Sequence, residues 1–224
     1  TLREMADATR NVMTIEDPIE YTLEGIAQVQ VKEQIGLGFP AALRTFLRQD
    51  PDIIMVGEIR DSETATMAIR ASLTGHQVLS TIHTNSAWDT VMRLQDMGIP
   101  AYLVASTLAL SVAQRLVRLA CPSCKQEVPQ INLKLFGLYA AQAPKSVVEA
   151  KGCEHCHYTG YKGRRAIYEI LPIDETIAEA LKNGSMNKSQ VYAHGKVKSL
   201  AQQALVMLST HETTLEETIS YFIA

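Results

Sequence analysis

Asp50-Pro-Asp-Ile-Ile-Met-Val-Gly-Glu-Ile-Arg60 is the stretch of this 224-residue chain that decides the fold. Its centre, Ile53 to Val56, is a run of apolar residues without polar alternation. Such a run predicts a parallel strand that helices bury on both faces. Open α/β folds bind ligands at the carboxyl edge of the sheet, so the sequence predicts that Glu58 presents a carboxylate at a ligand-binding edge.

Strands and helices alternate on both sides of this stretch. Val12 to Ile15 is a short apolar run that ends before Pro18, because proline cannot pair within a central strand. Residues 76–82 are rich in strand-forming residues, and residues 20–31 fit either a hairpin or an edge strand. Helices are predicted over residues 39–47, 61–75, 86–97 and, as one long apolar helix, 100–119. This alternation predicts a mostly parallel α/β sheet.

The four cysteines of the chain lie in two pairs, Cys121-Pro-Ser-Cys124 and Cys153-Glu-His-Cys156. A two-residue gap lets both thiolates of a turn bind one ion, and two such turns complete the tetrahedral site typical of structural zinc. Two disulfides or four free thiols are the alternatives, and a chain without a signal peptide disfavours disulfides. His155 and His157 lie close enough in sequence to replace a cysteine as ligand.

The composition changes at Cys121, after which prolines, glycines, tyrosines and the cysteines are concentrated up to residue 170. The remaining residues have a helical pattern with turn signals. We therefore predict three segments, in which residues 1–119 form the α/β core, 120–170 are a zinc-binding tetracysteine module, and 171–224 are a C-terminal helical region.

Charge and hydropathy narrow the classes of function. The net charge of −3 and the pI near 6.1 give no overall attraction to nucleic acid or to an anionic membrane. No apolar stretch approaches the roughly 18 residues of a membrane-spanning helix, and the first residues lack the apolar core of a signal peptide. We expect a cytoplasmic protein.

Polar side chains lie at the boundaries of three predicted strands. The candidates are Glu16 and Asp17 after the first strand, Glu58 and Arg60 after the second, and His76 and His83 at the two ends of the third. Phosphoryl transfer needs a carboxylate to orient water, acids that hold Mg²⁺, and groups that stabilise charge on the γ-phosphate. Simpler interpretations remain open, namely turn-capping acids, an ion pair of Glu58 with Arg60 or Arg48, and structural hydrogen bonds of the histidines.

Four segments of the chain resemble the secretion ATPase family of the general secretory pathway protein E type, which drives type II secretion and type IV pilus assembly. They are residues 14–21, 47–61, 73–87 and 114–124. The resemblance implies a P-loop NTPase core of the RecA-like class, with ATP and Mg²⁺ as cofactors and Zn²⁺ in the tetracysteine module. It also implies a homo-hexamer that works with platform proteins of the inner membrane. The expected location is the bacterial cytoplasm, where the protein would be peripherally bound to the cytoplasmic face of the inner membrane.

The same resemblance implies roles for single residues. Glu16 matches the Asp-box acid near the attacking water and the metal, and Glu58 matches the catalytic glutamate of the Walker B motif. His83 matches the His-box sensor of the γ-phosphate, with His76 as a second candidate for that role. The nucleotide-binding candidates from the same segments are Asp17 and Arg60, together with His76. The cysteine-containing branch of the family binds zinc through residues that match Cys121, Cys124, Cys153 and Cys156.

The sequence departs from the family at one point, because it contains no Gly-x-x-x-x-Gly-Lys-Ser/Thr loop. Family members carry this phosphate cradle upstream of the matching segments, so we expect the chain to be the carboxyl-terminal part of such an ATPase and inactive by itself. The alternative is a non-catalytic zinc-bearing interaction module that docks an inner-membrane partner. A DNA-binding interpretation rests only on the zinc-ribbon likeness and on Tyr158, Tyr161, Lys162, Arg164 and Arg165, and we expect no nucleic-acid partner.

Overall fold

The computed structural model describes residues 2–7, 9–129 and 132–223. The chain forms two compact units, and each unit consists of two separate stretches of sequence. The first unit contains the residues up to Ser111 together with Pro172–Asn187, and the second contains Val112–Leu171 together with the residues from Lys188 onward. The division of the sequence into three segments stays a prediction.

The first unit is built on a four-stranded sheet in which every pairing is parallel. The strands are β1 Val12–Glu16, β2 Ala27–Gln30, β3 Ile53–Val56 and β4 Gln77–Ser80, and their order in the sheet is β2-β1-β3-β4. The predicted α/β class is confirmed. Residues 20–31 contribute the edge strand β2 and not a hairpin, since β2 runs parallel to β1.

An irregular segment joins β1 to β2, whereas helices join β2 to β3 and β3 to β4, as crossover connections between parallel strands usually do. Six α-helices are described in the first unit. They are α1 Leu2–Met5, α2 Phe39–Phe46, α3 Ser62–Leu73, α4 Ala87–Asp96, α5 Ala101–Thr107 and, from the second stretch of the unit, α6 Glu175–Asn183. Asp61 begins α3 by accepting a hydrogen bond from the Thr64 amide at 2.8 Å, and Ser86 caps α4 in the same way at 3.2 Å. These side chains satisfy backbone donors that the first helical turn leaves unpaired.

The helix predicted over residues 100–119 is wrong. The helix α5 ends at Thr107, and the chain continues as the strand β5, Leu110–Ala120. Side chains along the first part of β5 alternate between exposed and buried, which is the period of a strand. The outward positions Leu110, Val112 and Leu116 are themselves apolar, so this alternation does not show in the hydropathy of the sequence.

The second unit combines two small sheets with helices. The strand β5 pairs with β8, Tyr161–Pro172, and β6, Lys125–Pro129, pairs antiparallel with β7, Ser146–Ala150. Short 3-10 helices occupy Leu133–Gln142 and Glu154–Cys156. The predicted helical tail contributes α7 Lys188–His194, α8 Leu200–Ser209, α9 Leu215–Thr218 and α10 Ser220–Ile223.

The core of the second unit lies between these elements. Phe136 is fully buried, and its ring centroid lies 5.2 Å from that of Phe222 on α10. The other buried members come mainly from β5, β7, β8 and α8: Val117, Val147, Ile167, Leu200, Ala201, Ala204, Leu205, Met207 and Leu208. Within the described ranges, every helix is too short or too polar to cross a membrane.

Candidate functional site

The parallel sheet of the first unit brings three of the predicted residues to one edge. Glu16 is the last residue of β1, Glu58 follows the end of β3 by two residues, and His83 follows the end of β4 by three. Because β1, β3 and β4 are neighbours and run in the same direction, their carboxyl ends lie side by side. This is the edge at which open α/β sheets bind ligands. Asp17 continues the chain directly after β1.

Glu58 presents a largely buried carboxylate at this edge. Its side chain is 12% exposed, it forms an ion pair with Arg60, and its Oε2 lies 3.4 Å from Nε2 of His83. The side chains of Arg60 and His83 are 61% and 89% exposed, so both reach Glu58 from the solvent side. The ion pair with Arg60, which the sequence left open, is therefore present together with the contact to His83.

Glu16 is held by two hydrogen bonds to the same oxygen. The hydroxyl of Thr14, a fully buried residue of β1, donates to Oε1 of Glu16 at 2.5 Å. The amide of Gln28 on the edge strand β2 donates to the same Oε1 at 2.9 Å. Thr14 lies two residues before Glu16 on one strand, and Gln28 lies on the neighbouring strand, so the sheet itself fixes the position of this carboxylate.

Gly57 allows β1 and β3 to approach closely beside Glu58. A Cβ atom at Gly57 would lie 3.1 Å from the carbonyl oxygen of Ile15 and 3.3 Å from Cα of Glu16. The Gly57 amide donates to that Ile15 carbonyl at 2.7 Å, and the Gly57 carbonyl accepts from the Thr81 hydroxyl at 2.6 Å. Any larger residue would push against backbone at the point where the chain leaves β3.

Four residues of this edge were missed by the sequence analysis, Thr14, Gln28, Gly57 and Thr81. Each acts on the backbone or on the carboxylate of another residue. The roles of Gln28, Gly57 and Thr81 depend on which strands are neighbours, whereas Thr14 bonds to Glu16 along the same strand. The strand order β2-β1-β3-β4 is not encoded in any local motif, although the glycine directly before the catalytic candidate was a visible signal.

The structure does not bring His76 to this edge. His76 immediately precedes β4, so it lies where the parallel strands begin, whereas Glu58 lies where they end. Its Nδ1 is 2.9 Å from the Ala71 carbonyl and 3.0 Å from the Thr74 hydroxyl, both at the end of α3. These contacts hold His76 in the turn between α3 and β4, and of the two histidines His83 is the one that lies at the edge with Glu58.

The four cysteines form a compact cluster in the second unit. Their sulfur atoms all lie within 4.8 Å of one another, and three Sγ–Sγ distances are 4.0 Å for Cys121–Cys153, 3.9 Å for Cys124–Cys156 and 3.8 Å for Cys153–Cys156. All four are free thiols, so the disulfide alternative is not observed. A regular tetrahedron of sulfurs around zinc, with bonds of about 2.3 Å, has edges of about 3.8 Å. The cluster can therefore hold one metal ion.

Local hydrogen bonds and desolvation shift the pKa values of Cys124 and Cys156 in opposite directions. Desolvation raises the pKa of Cys124 to about 12. Desolvation also opposes ionisation of Cys156, but amide donors from Cys153 and Gly160, at 3.2 and 3.3 Å from its sulfur, outweigh it and lower the pKa of Cys156 to about 6. Metal ligands must be thiolates, so a bound cation would favour the ionised form of all four cysteines.

Comparison with known proteins gives a single family. The family model described as Type II/IV secretion system protein matches residues 1–220. The type II secretion system protein E of Dickeya dadantii is 46% identical over 219 residues, which are 97% of this chain and 44% of that protein. The type IV pilus assembly ATPase PilB of Thermus thermophilus is 46% identical over 225 residues, 98% of this chain and 25% of that protein.

A solved structure supports the same fold. The crystal structure of the pilus retraction motor PilT with bound ADP matches with a TM-score of 0.69 and 27% identity, over 96% of this chain and 53% of that chain. The chain spans less than half the length of the type II secretion system protein E of Dickeya dadantii, 44% of that protein.

Proposed function

The chain belongs to the Type II/IV secretion system protein family, and we propose on this basis that the whole protein is an ATP-hydrolysing motor of type II secretion or type IV pilus assembly. The observation that carries the proposal is the position of Glu58. It is a largely buried carboxylate at the carboxyl edge of a parallel sheet, within 3.4 Å of His83 and ion-paired with Arg60.

The residues of the edge have complementary roles in this proposal. Glu58 orients and deprotonates the attacking water, because its carboxylate is held at the point where β3 ends. Glu16 helps to hold the metal through its fixed carboxylate, with Asp17 beside it, and bound Mg²⁺ would neutralise charge on the transferred phosphate. His83 and Arg60 contact Glu58 from the solvent side, where they can respond to the γ-phosphate.

Zinc is the metal that we propose for the cysteine cluster. Four thiolates at tetrahedral spacing form a closed coordination shell, which is typical of structural zinc and leaves no position for a substrate. The ion would join the turn that carries Cys121 and Cys124 to the turn that carries Cys153 and Cys156. We assign the metal to the stability of the second unit and not to catalysis.

Membership of this family supports a proposal for the working environment. We propose that the whole protein assembles as a homo-hexameric ring at the cytoplasmic face of the bacterial inner membrane. There it would power polymerisation of pilin-like subunits through platform proteins of the membrane. The absence of a Gly-x-x-x-x-Gly-Lys-Ser/Thr motif from this sequence leads us to propose further that the 224-residue chain alone does not turn over ATP.

The test is a comparison of two purified proteins, the 224-residue chain and the whole protein with its upstream part. We expect Mg²⁺-dependent ATP turnover only in the whole protein, and we expect Glu58→Gln to abolish it. If the whole protein binds no ATP, the motor is wrong and the metal-bearing interaction module is the better hypothesis. Turnover by the 224-residue chain alone would contradict the need for a separate phosphate cradle.

A further inference from the structure

The second unit has an open groove whose lining carries only positive charge. The groove has a volume of about 420 Å³ and lies between β8, the turn before α8, and α8 itself. Its cations are Arg165, Lys196 and Lys198, and none of the described residues that line it is acidic. Arg165 is ion-paired with Glu212 outside the groove, whereas neither lysine has a carboxylate within 4.0 Å among the described residues. We call this the basic groove.

The floor of the basic groove is apolar and exposed. Tyr168 and Ile170 on β8 are 46% and 47% exposed, and Val206 on α8 is 60% exposed. Val112 and Leu116 of β5, the strand paired with β8, are also more than half exposed. Apolar residues that are clustered in this way and bordered by charge mark a surface that another molecule covers. The paired strand β5 adds further exposed apolar residues, so a protein surface is a better fit than a small ligand.

The first unit carries a segment of the opposite character. Residues 20–24 form an exposed loop after β1, in which Glu20 and Glu24 flank Tyr21, whose side chain is 81% exposed. We call this segment the acidic loop. Gln28 holds it in place, since its side-chain amide donates to the Tyr21 carbonyl at 3.0 Å and its side-chain oxygen accepts from the Leu23 amide at 2.6 Å. The exposed tyrosine is therefore held on a fixed backbone, which lowers the entropy lost on binding.

We propose that the acidic loop of one copy docks into the basic groove of a second copy. Tyr21 would cover the apolar floor at Tyr168 and Ile170, and Glu20 and Glu24 would pair with Lys196 and Lys198. Tyrosine is among the residues that most often anchor interfaces, and opposite charges at the rim set the register of the two partners. The occupant is a second copy because the chain itself carries a segment with the matching charge and an exposed aromatic side chain.

The two surfaces lie in different units of the chain, so the contact is heterologous. A contact of this kind joins head to tail, and repeated copies produce a closed ring or an open filament. The inference rests on the proposed ring and specifies one contact within it. A ring that assembles without the acidic loop would overturn this contact and leave the ring itself intact.

The experiment measures self-association of the 224-residue chain by sedimentation velocity across a range of concentrations. We expect association that weakens with salt, because raising the ionic strength from about 0.1 to about 1 M shortens the Debye length from about 10 to about 3 Å. We expect Lys196→Glu with Lys198→Glu, or Glu20→Lys with Glu24→Lys, to weaken association at least tenfold. Mixing these two double variants should restore association between unlike copies, since each supplies the charge that the other has lost.

Matched controls separate this contact from a general effect of charge. Lys134→Glu with Lys145→Glu makes the same charge change at two exposed lysines outside the groove, and it should leave association unchanged. Tyr21→Ala should weaken association without changing net charge. The proposal is overturned if the unmodified chain stays monomeric, if the control pair has the same effect as the groove pair, or if the two charge-reversed variants do not associate when mixed.

Discussion

His83 contacts Glu58 across the ends of two neighbouring strands, with 3.4 Å between Nε2 and Oε2. The pairing of β3 with β4 places Val56 opposite Ser80, so the segments that follow both strands start from the same level of the sheet. The Ile59 amide then donates to the Thr81 carbonyl at 2.9 Å, which continues the pairing beyond both strands. The contact is therefore a consequence of strand register and not of a local motif.

Replacing Glu58 by glutamine in the whole protein should lower ATP turnover by about 10²-fold or more, the usual contribution of a general base. The amide keeps the size of the side chain but cannot accept a proton. Nucleotide binding should persist, so the loss should fall on kcat in steady-state assays. Equal weakening of binding and turnover would instead assign Glu58 to ground-state binding.

The two histidines of the third predicted strand provide a matched pair of substitutions. His83→Gln should reduce turnover, because His83 contacts Glu58 at the carboxyl edge of the sheet. His76→Gln should leave turnover unchanged, because His76 bonds to the end of α3 at the opposite edge. Thermal unfolding of both variants controls for stability. A loss of turnover that is equal in the two variants would contradict the assignment.

Gln28 and Thr14 should act on turnover through Glu16. Gln28→Leu and Thr14→Val keep the approximate size of each side chain while removing a hydrogen bond to Oε1 of Glu16. We expect a lower kcat and a weaker dependence on Mg²⁺ in the whole protein, with the larger effect in the double variant. A purely structural role would change only the melting temperature, so the Mg²⁺ titration decides between the two.

The sequence predicted the local features of this site and missed the features that depend on strand order. Glu58 at the end of β3 was visible because a short apolar run followed by one acid is a local pattern. Gln28 was not predicted to contact Glu16, because its role requires β2 to pair with β1 in parallel. The sequence predicts a helix where β5 lies, because the exposed positions Leu110, Val112 and Leu116 are apolar. The alternation of exposed and buried side chains along the strand is therefore not matched by an alternation of polar and apolar residues.

The cysteine cluster should contain one zinc ion per chain when the protein is purified under reducing conditions. Elemental analysis measures this stoichiometry directly. Cys124→Ser should release the ion and lower the melting temperature, because a structural metal contributes folding energy. His155→Gln is the control, since the four sulfurs already complete the shell, and it should keep the ion. Loss of metal in this control would show that a histidine acts as ligand.

Gly57→Ala should destabilise the first unit by roughly 1–3 kcal/mol, the usual cost of overpacking against immobile atoms. The added Cβ would meet the backbone of Ile15 and Glu16, neither of which can move without separating β1 from β3. Gly38→Ala is the matched control, because the atoms nearest to its Cβ would be those of the Glu33 carboxylate, the end of a flexible side chain. Denaturant unfolding compares the two, and equal losses would rule out a special requirement at Gly57.

Acid should weaken the second unit through Glu217. Burial raises the pKa of Glu217, but hydrogen bonds from the Arg118 side chain at 2.8 Å and from its backbone amide at 3.0 Å outweigh it and lower the pKa below its usual value. A carboxyl group with a lowered folded pKa stabilises the protein above its unfolded pKa, about 4.3, and that stability is lost as the pH falls through the folded value.

Glu217→Gln should therefore cost about 1.5–3 kcal/mol at neutral pH, the range of a hydrogen bond to a charged group, and little at a pH below both pKa values. The neighbouring exposed Glu216→Gln is the control and should change stability little at either pH. Urea unfolding at neutral and acidic pH measures the difference between the two variants. A cost of Glu217→Gln that stays constant with pH would show that packing, and not the ion pair with Arg118, explains the loss.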